Sequence, residues 1–220
     1  MPLVTLAQAE WPEGREPTWL PTPEGDGFEG KYGSVRRFVV TDDKGSARFD
    51  IPIYTEASHA NIVLYGYHPR GVKIGLINVE CPMAGCVDVN DTPRFWRVLR
   101  GFVNRGEDVL QTIRRILAEK AGVVDHRGFE KIGEINPNPS YFNSSGPVFA
   151  VQVDLNAVCE IAPTCGEKIS KVRFFFAHEI RGIISRGEHE GALSSDAVSF
   201  MALMQFFCYY PSVMREATQL

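Results

Sequence analysis

The segment from Gly106 to Gly122 constrains this chain more than any other. Val109, Leu110, Ile113, Ile116 and Leu117 recur at three- and four-residue spacing, which lines them along one side of a helix. Glu107 and Asp108 stand at the positive end of the helix dipole and Gly122 supplies a stop, so the pattern predicts a helix over Glu107–Ala121. A helix of this length draws its stability from covering its apolar side, because its propensity alone is marginal in water. The rest of the chain must therefore provide a surface to pack it on.

Strand patterns on both sides of the helix provide that surface. Ser34–Val40 runs into the turn signal Asp42-Asp43-Lys44-Gly45, and Ala47–Tyr54 continues beyond it. Ala60–Tyr67 and Val72–Val79 flank His68-Pro69-Arg70-Gly71 as a hairpin. After a loop with Pro82, Gly85 and Pro93, Phe95–Leu99 reads as a short strand. Further strands are expected near Gly128–Ile135, Pro147–Asp154 and Lys171–Phe176. A last helix is expected over Ser194–Tyr209, capped by Ser194 or Ser195, with Pro211 beyond its end. No internal repeat or low-complexity tract is present. This order of elements predicts one α+β or α/β/α domain over residues 34–220. Residues 1–33 are dense in Pro, Gly and Glu and read as an extended arm. Trp11, Trp19, Leu20 and Phe28 are costly to leave in water, so the arm is expected to pack on its own domain or on a partner subunit.

Composition removes several classes of function. The chain has 220 residues, 44% hydrophobic and 23% charged, which is ordinary globular usage. Its 23 Lys and Arg against 27 Asp and Glu leave a net charge of −4, which argues against a nucleic-acid coat and an anionic membrane surface. No apolar run reaches the ~20 residues of a membrane span. Met1-Pro2-Leu3-Val4 does not open a secretory signal. Five cysteines, without paired CxxC spacing, point to buried thiols in a reducing, cytoplasmic setting, not to a disulfide framework or a structural zinc site.

The chemistry concentrates between Gly101 and Val123. Gly101, Glu107, Arg115, Leu117, Glu119, Gly122 and Val123 fall, without insertion, on the spacing of the Nudix box. The segment resembles that box, set in a strand–loop–helix preceded by a hairpin. Within the superfamily the resemblance is nearest to the ADP-ribose pyrophosphatase branch. Gly133-Glu134-Ile135-Asn136-Pro137-Asn138-Pro139 looks like its segment after the box, and Gly187-Glu188-His189-Glu190-Gly191-Ala192 like its C-terminal end. The resemblance covers residues 32 to 208. It implies a Nudix-type α/β/α sandwich with a mixed sheet, and a homodimer in which the arm crosses to the second subunit.

The departures from the box decide the functional reading. Pyrophosphate cleavage in the family needs Mg²⁺ or Mn²⁺ held by the three glutamates of the box helix. At the matching positions this chain has Ile116, Glu119 and Lys120. The two lost acids are the pair one helical turn apart, and Lys120 cancels the charge of Glu119. Arg100 stands where the family has a small residue whose backbone lies beside the metals. What is kept is structural: Gly101 and Gly122 for turns and close approach, Glu107 and Arg115 for bracing the loop on the helix.

Other candidates follow from the resemblance. Glu119 is either a lone remaining metal ligand or, as favoured here, a solvent-facing helix residue. Arg100 and Lys120 either bind a ligand phosphate directly or are ordinary surface charge. Arg36 and Arg37 lie on the strand from which family members reach a nucleotide, although alternating strand residues also face water. Ile116 reads as core or pocket wall. Glu167 matches the loop that carries the family's general base, with Glu160 its neighbour, and a solvated loop glutamate is an equal reading. His178 and His189 read as structural, Ser144-Ser145-Gly146 as a turn, and Phe174–Phe176 and Phe206-Phe207 as core or subunit interface. The expected function is a Nudix-like protein with a degenerate metal site, binding a nucleotide diphosphate-type ligand or a protein partner, with no cofactor. The alternative is an active hydrolase of ADP-ribose type that recruits Glu119, Glu107, Glu167 and Glu188 around Mg²⁺ or Mn²⁺.

Overall fold

The computed structural model describes residues 18–21, 27–30, 33–41, 47–80, 94–123, 126–136, 145–156, 169–190, 192–193 and 196–218. The chain divides into two compact units, Met1–Ser58 with Asn136–Ser145, and His59–Ile135 with Gly146–Leu220. The first holds an antiparallel sheet of β1 (Thr18–Pro21), β2 (Gly27–Gly30), β3 (Gly33–Thr41) and β4 (Ala47–Glu56). β3 pairs with all the others, so the Pro- and Gly-rich N-terminal stretch contributes two strands of four residues each.

The second unit is a mixed sheet with helices on both faces. Its strands are β5 (His59–His68), β6 (Gly71–Glu80), β7 (Arg94–Arg97), β8 (Leu99–Phe102), β9 (Gly128–Ile135), β10 (Gly146–Gln152), β11 (Ile169–Phe176), β12 (Glu188–His189) and β13 (Ala192–Leu193). Its helices are α1 (Val109–Ala121), α2 (Ala177–Arg186), α3 (Ala197–Tyr209) and α4 (Pro211–Thr218). β10 runs parallel to β5, and β13 parallel to β7; the other pairs are antiparallel. Period-two alternation splits the core into two layers. Ala60, Ile62 and Leu64 of β5 meet Ile113, Ile116 and Leu117 of α1, while Val63 and Tyr65 belong to the layer of Ile180, Ala202, Leu203 and Phe206 from α2 and α3. No described helix is long and apolar enough to cross a membrane.

One irregularity places the box. β5 and β6 pair from the hairpin only as far as Leu64 and Gly75. Beyond that point β7 pairs with β6 and β8 with β5, so residues 94–102 run between the two strands. The single strand expected over Phe95–Leu99 is therefore two, broken at Val98, whose N–H is taken by Ser199 Oγ at 3.2 Å.

Two helix starts differ from the sequence expectation, and a further helix follows α3. α1 begins at Val109, because Asp108 is its N-cap: Asp108 Oδ1 accepts from the Gln111 N–H at 2.7 Å and Gln111 Oε1 from the Asp108 N–H at 2.9 Å. Glu107 therefore lies outside the helix. α3 is capped by Asp196, not Ser194 or Ser195, its Oδ1 accepting from the Ser199 N–H at 2.8 Å. Pro211 opens α4, where the ring suits a first helical position. α2 had no counterpart in the sequence reading.

Candidate functional site

β8 delivers the chain to the N-terminus of α1, and two glycines fix how closely strand and helix approach. A Cβ on Gly101 would stand 2.6 Å from Ile116 Cδ1, so only glycine lets α1 lie on β8. Gly122 ends the helix at φ 62°, and the Val123 N–H returns to the Leu117 carbonyl at 3.1 Å.

Between them Glu107 acts as the hub of the loop. Its Oε1 accepts from Arg115 Nε at 2.8 Å and Asn104 Nδ2 at 3.2 Å. Its Oε2 accepts from Arg115 Nη2 at 2.9 Å, Thr112 Oγ1 at 3.0 Å and the Asn104 N–H at 3.1 Å. The two-pronged Arg115 contact is the main reason its carboxyl is lowered to about 2. Arg115 Nη2 also donates to the Phe102 carbonyl at 2.7 Å, tying the helix back to β8, and Glu107 holds the guanidinium above its ordinary pKa.

Glu119 is one turn on from Arg115 and accepts from its Nη1 at 3.2 Å. Lys120 is not surface charge. It is 5% exposed, and its Nζ donates to the Arg100 carbonyl at 2.6 Å. Ile116 is fully buried against Gly101 and the β5 core. The donors here are thus two carboxylates on one guanidinium, an ammonium on the strand carbonyl and an aliphatic wall. That set does not suit a hard divalent cation, which needs several free oxygens. Among the described residues no three His, Cys, Asp or Glu side chains come together as a metal site.

On the strand face, Arg100 stands opposite Asn61 in the β5–β8 register, with His59 opposite Phe102. Arg100 Nη2 lies 3.4 Å from His59 Nε2. His59 and Asn61 are buried, Asn61 Nδ2 donates to the Pro147 carbonyl at 3.4 Å, and Asn61 Oδ1 has no partner among the described residues. Gly146 closes this box, since a Cβ there would stand 2.0 Å from His59 Nε2. His59, Asn61 and the Asn104 brace were missed from sequence. A polar residue recurring every second position in an apolar strand was the available signal for the first two.

Arg36 is exposed on β3, opposite Ile53, and Arg37 lies opposite Pro52; both belong to the other unit. Glu160 and Glu167 lie outside the described residues. Glu188 contributes its backbone to β12, opposite Leu193. His189 receives the Trp96 Nε1–H on its carbonyl at 3.0 Å.

No protein-family model matches the sequence, and no curated protein does. Solved structures do. A protein described as an ADP compounds hydrolase is 14% identical, with a TM-score of 0.61 over 90% of this chain and 96% of that one. The Nudix domain of Shewanella oneidensis NrtR, cocrystallised with ADP ribose, is 17% identical, with a TM-score of 0.49 over 68% of this chain and 85% of that one. At these identities the likeness concerns the fold, and the fold is Nudix-like.

Proposed function

We propose that this chain is a Nudix-like protein that binds a nucleotide diphosphate-type ligand and does not hydrolyse it by a metal-dependent route. The observation that carries the reading is the Lys120 ammonium, seated on the Arg100 carbonyl from the box helix. A fixed cation bound to that oxygen neutralises the place where the family concentrates negative charge, and Ile116 fills the position of the other lost acid. Glu107 and Glu119 are both engaged by Arg115, so recruiting them to a metal would break the brace between loop and helix. A ligand phosphate needs no metal where a guanidinium and an imidazole stand together, and Arg100 with His59 supplies that pair. The nucleotide class is supported by the likeness of the fold to a protein described as an ADP compounds hydrolase.

The test is to incubate the purified full chain with ADP-ribose and Mg²⁺ or Mn²⁺ and follow AMP. The expected result is no release above buffer. Thermal unfolding in EDTA should meanwhile rise with ADP-ribose, and less so in Arg100→Gln. Release of AMP that disappears in Glu119→Gln would establish the hydrolase instead. Absence of any thermal shift across nucleoside diphosphate derivatives would remove the nucleotide and favour a protein partner.

A further inference from the structure

At the opposite end of β5 from the box, cations gather around one aromatic ring. His59 and His68 are the two ends of β5, roughly 30 Å apart at strand rise. At the hairpin end, Arg70 Cζ lies 4.9 Å and Lys73 Nζ 4.6 Å from the centre of the Phe176 ring. His178 stacks parallel on the same ring at 5.7 Å, and His68 meets it edge-on at 5.3 Å. The strand register explains the convergence, because Phe176 is the β11 partner of Lys73 and His68 pairs with Gly71 across the hairpin. Arg181, one turn along α2 from His178, is exposed.

Among the described residues neither Arg70 nor Lys73 has an ion pair. The two carboxylates at this end are engaged by backbone amides: Glu179 Oε2 accepts from the Phe176 N–H at 2.7 Å and Glu216 Oε2 from the Val72 N–H at 3.0 Å. Two cations sharing one ring lie within about a Debye length (about 10 Å at 0.1 M salt), so they repel one another unless an anion joins them. Cation–π attraction holds them at the ring, and among the described residues no hydrogen bond engages the Arg70 guanidinium. His68 Nδ1 accepts from the Arg70 N–H at 3.2 Å, which leaves Nε2 as the proton-bearing nitrogen. Partial burial, with the Lys73 and Arg70 charges, holds His68 below its ordinary pKa.

We propose that His68, Arg70, Lys73 and His178, arranged around Phe176, form a second anion site that takes the phosphate chain of a small soluble polyphosphate. Phosphate is favoured over a nucleobase because the ring is already covered by cations and His178, so no open face is left for base stacking. The phosphate chain is favoured over a nucleic-acid strand because the positive charge is confined to one corner of a chain whose net charge is −4. This site does not depend on the reading of the box.

The test is a titration of the full chain with inorganic pyrophosphate in EDTA at low salt, followed by calorimetry and by histidine ring NMR. Binding with the His68 and His178 resonances shifting together, and with the His68 pKa rising as pyrophosphate saturates, is the expected result. Arg70→Gln with Lys73→Gln should weaken the binding that shifts His68 at least tenfold, while Arg94→Gln, at an exposed arginine paired with Glu80, should leave it unchanged. Equal affinity in the Arg70/Lys73 double variant, or perturbation at His59 instead of His68, would overturn the proposal. Competition by a short poly-glutamate peptide at equal charge would overturn the phosphate assignment in favour of acidic protein segments. The wild-type NMR map decides the location even if the double variant does not fold.

Discussion

Glu107 and Lys120 show how differently single residues reveal themselves. The pairing of Glu107 with Arg115 was legible through the resemblance to the box, not through helix periodicity, because Glu107 lies in the loop before α1. The change at Lys120 was legible as chemistry, but its burial was not, since an exposed and a buried lysine look alike in a sequence. The Glu107 carboxyl, lowered from 4.5 to about 2, stabilises the fold fully above pH 4.5, and that contribution is lost as pH falls through this window toward 2. Glu107→Gln should therefore cost about 2 kcal/mol at pH 7 and show a flatter pH dependence below 4.5, read by urea unfolding at successive pH values. A wild-type profile no steeper than the variant's would contradict the role of the hub. Lys120→Met keeps the buried stem and removes the donor to the Arg100 carbonyl, so a loss of about 1 to 3 kcal/mol is expected in the same assay. Unchanged stability would mean that the ammonium contributes nothing there.

At the scale of elements, long periodic segments were readable and their ends were not. α1 and the β5–β6 hairpin follow from apolar spacing. Asp196 displaced the expected serine caps of α3, and Asp108 starts α1 two residues late, because several short polar residues precede each helix and only backbone geometry selects among them. α2 was missed because the preceding Phe174–Phe176 run reads as strand, and its helical face carries only Ala177, Ile180 and Ile183 as buried positions. The contact of α1 with β8 gives the sharpest element-level test. Gly101→Ala forces its new Cβ into Ile116 and should cost about 1 to 3 kcal/mol. Ile116→Ala alone should cost about 2 to 5 kcal/mol through the cavity it leaves. Combined, they should cost at least ~1 kcal/mol less than their sum, because the cavity accepts the added methyl. Strict additivity in a double-mutant cycle would show that strand and helix do not touch as described.

For the molecule as a whole, the sandwich with a mixed sheet was legible because the box fixes a strand–loop–helix and the flanking patterns fix the rest. The same scale decides the question of metal, because any ion that binds the folded chain must raise its unfolding temperature. With a dissociation constant of ~1 mM, about 5 mM Mg²⁺ would add about 1 kcal/mol. For a chain of this size that is a rise of about 2 to 4 °C. The native chain, with Lys120 on the strand carbonyl and Arg115 holding both carboxylates, is expected to melt at the same temperature in Mg²⁺ and in EDTA. The double variant Ile116→Glu with Lys120→Glu places two buried carboxylates one helical turn apart, where they repel, and should melt lower in EDTA. Mn²⁺ should then recover part of that loss, because a dication relieves the repulsion and meets the carbonyl that Lys120 has left. A magnesium-dependent rise in the native protein would reverse the electrostatic reading of the box helix.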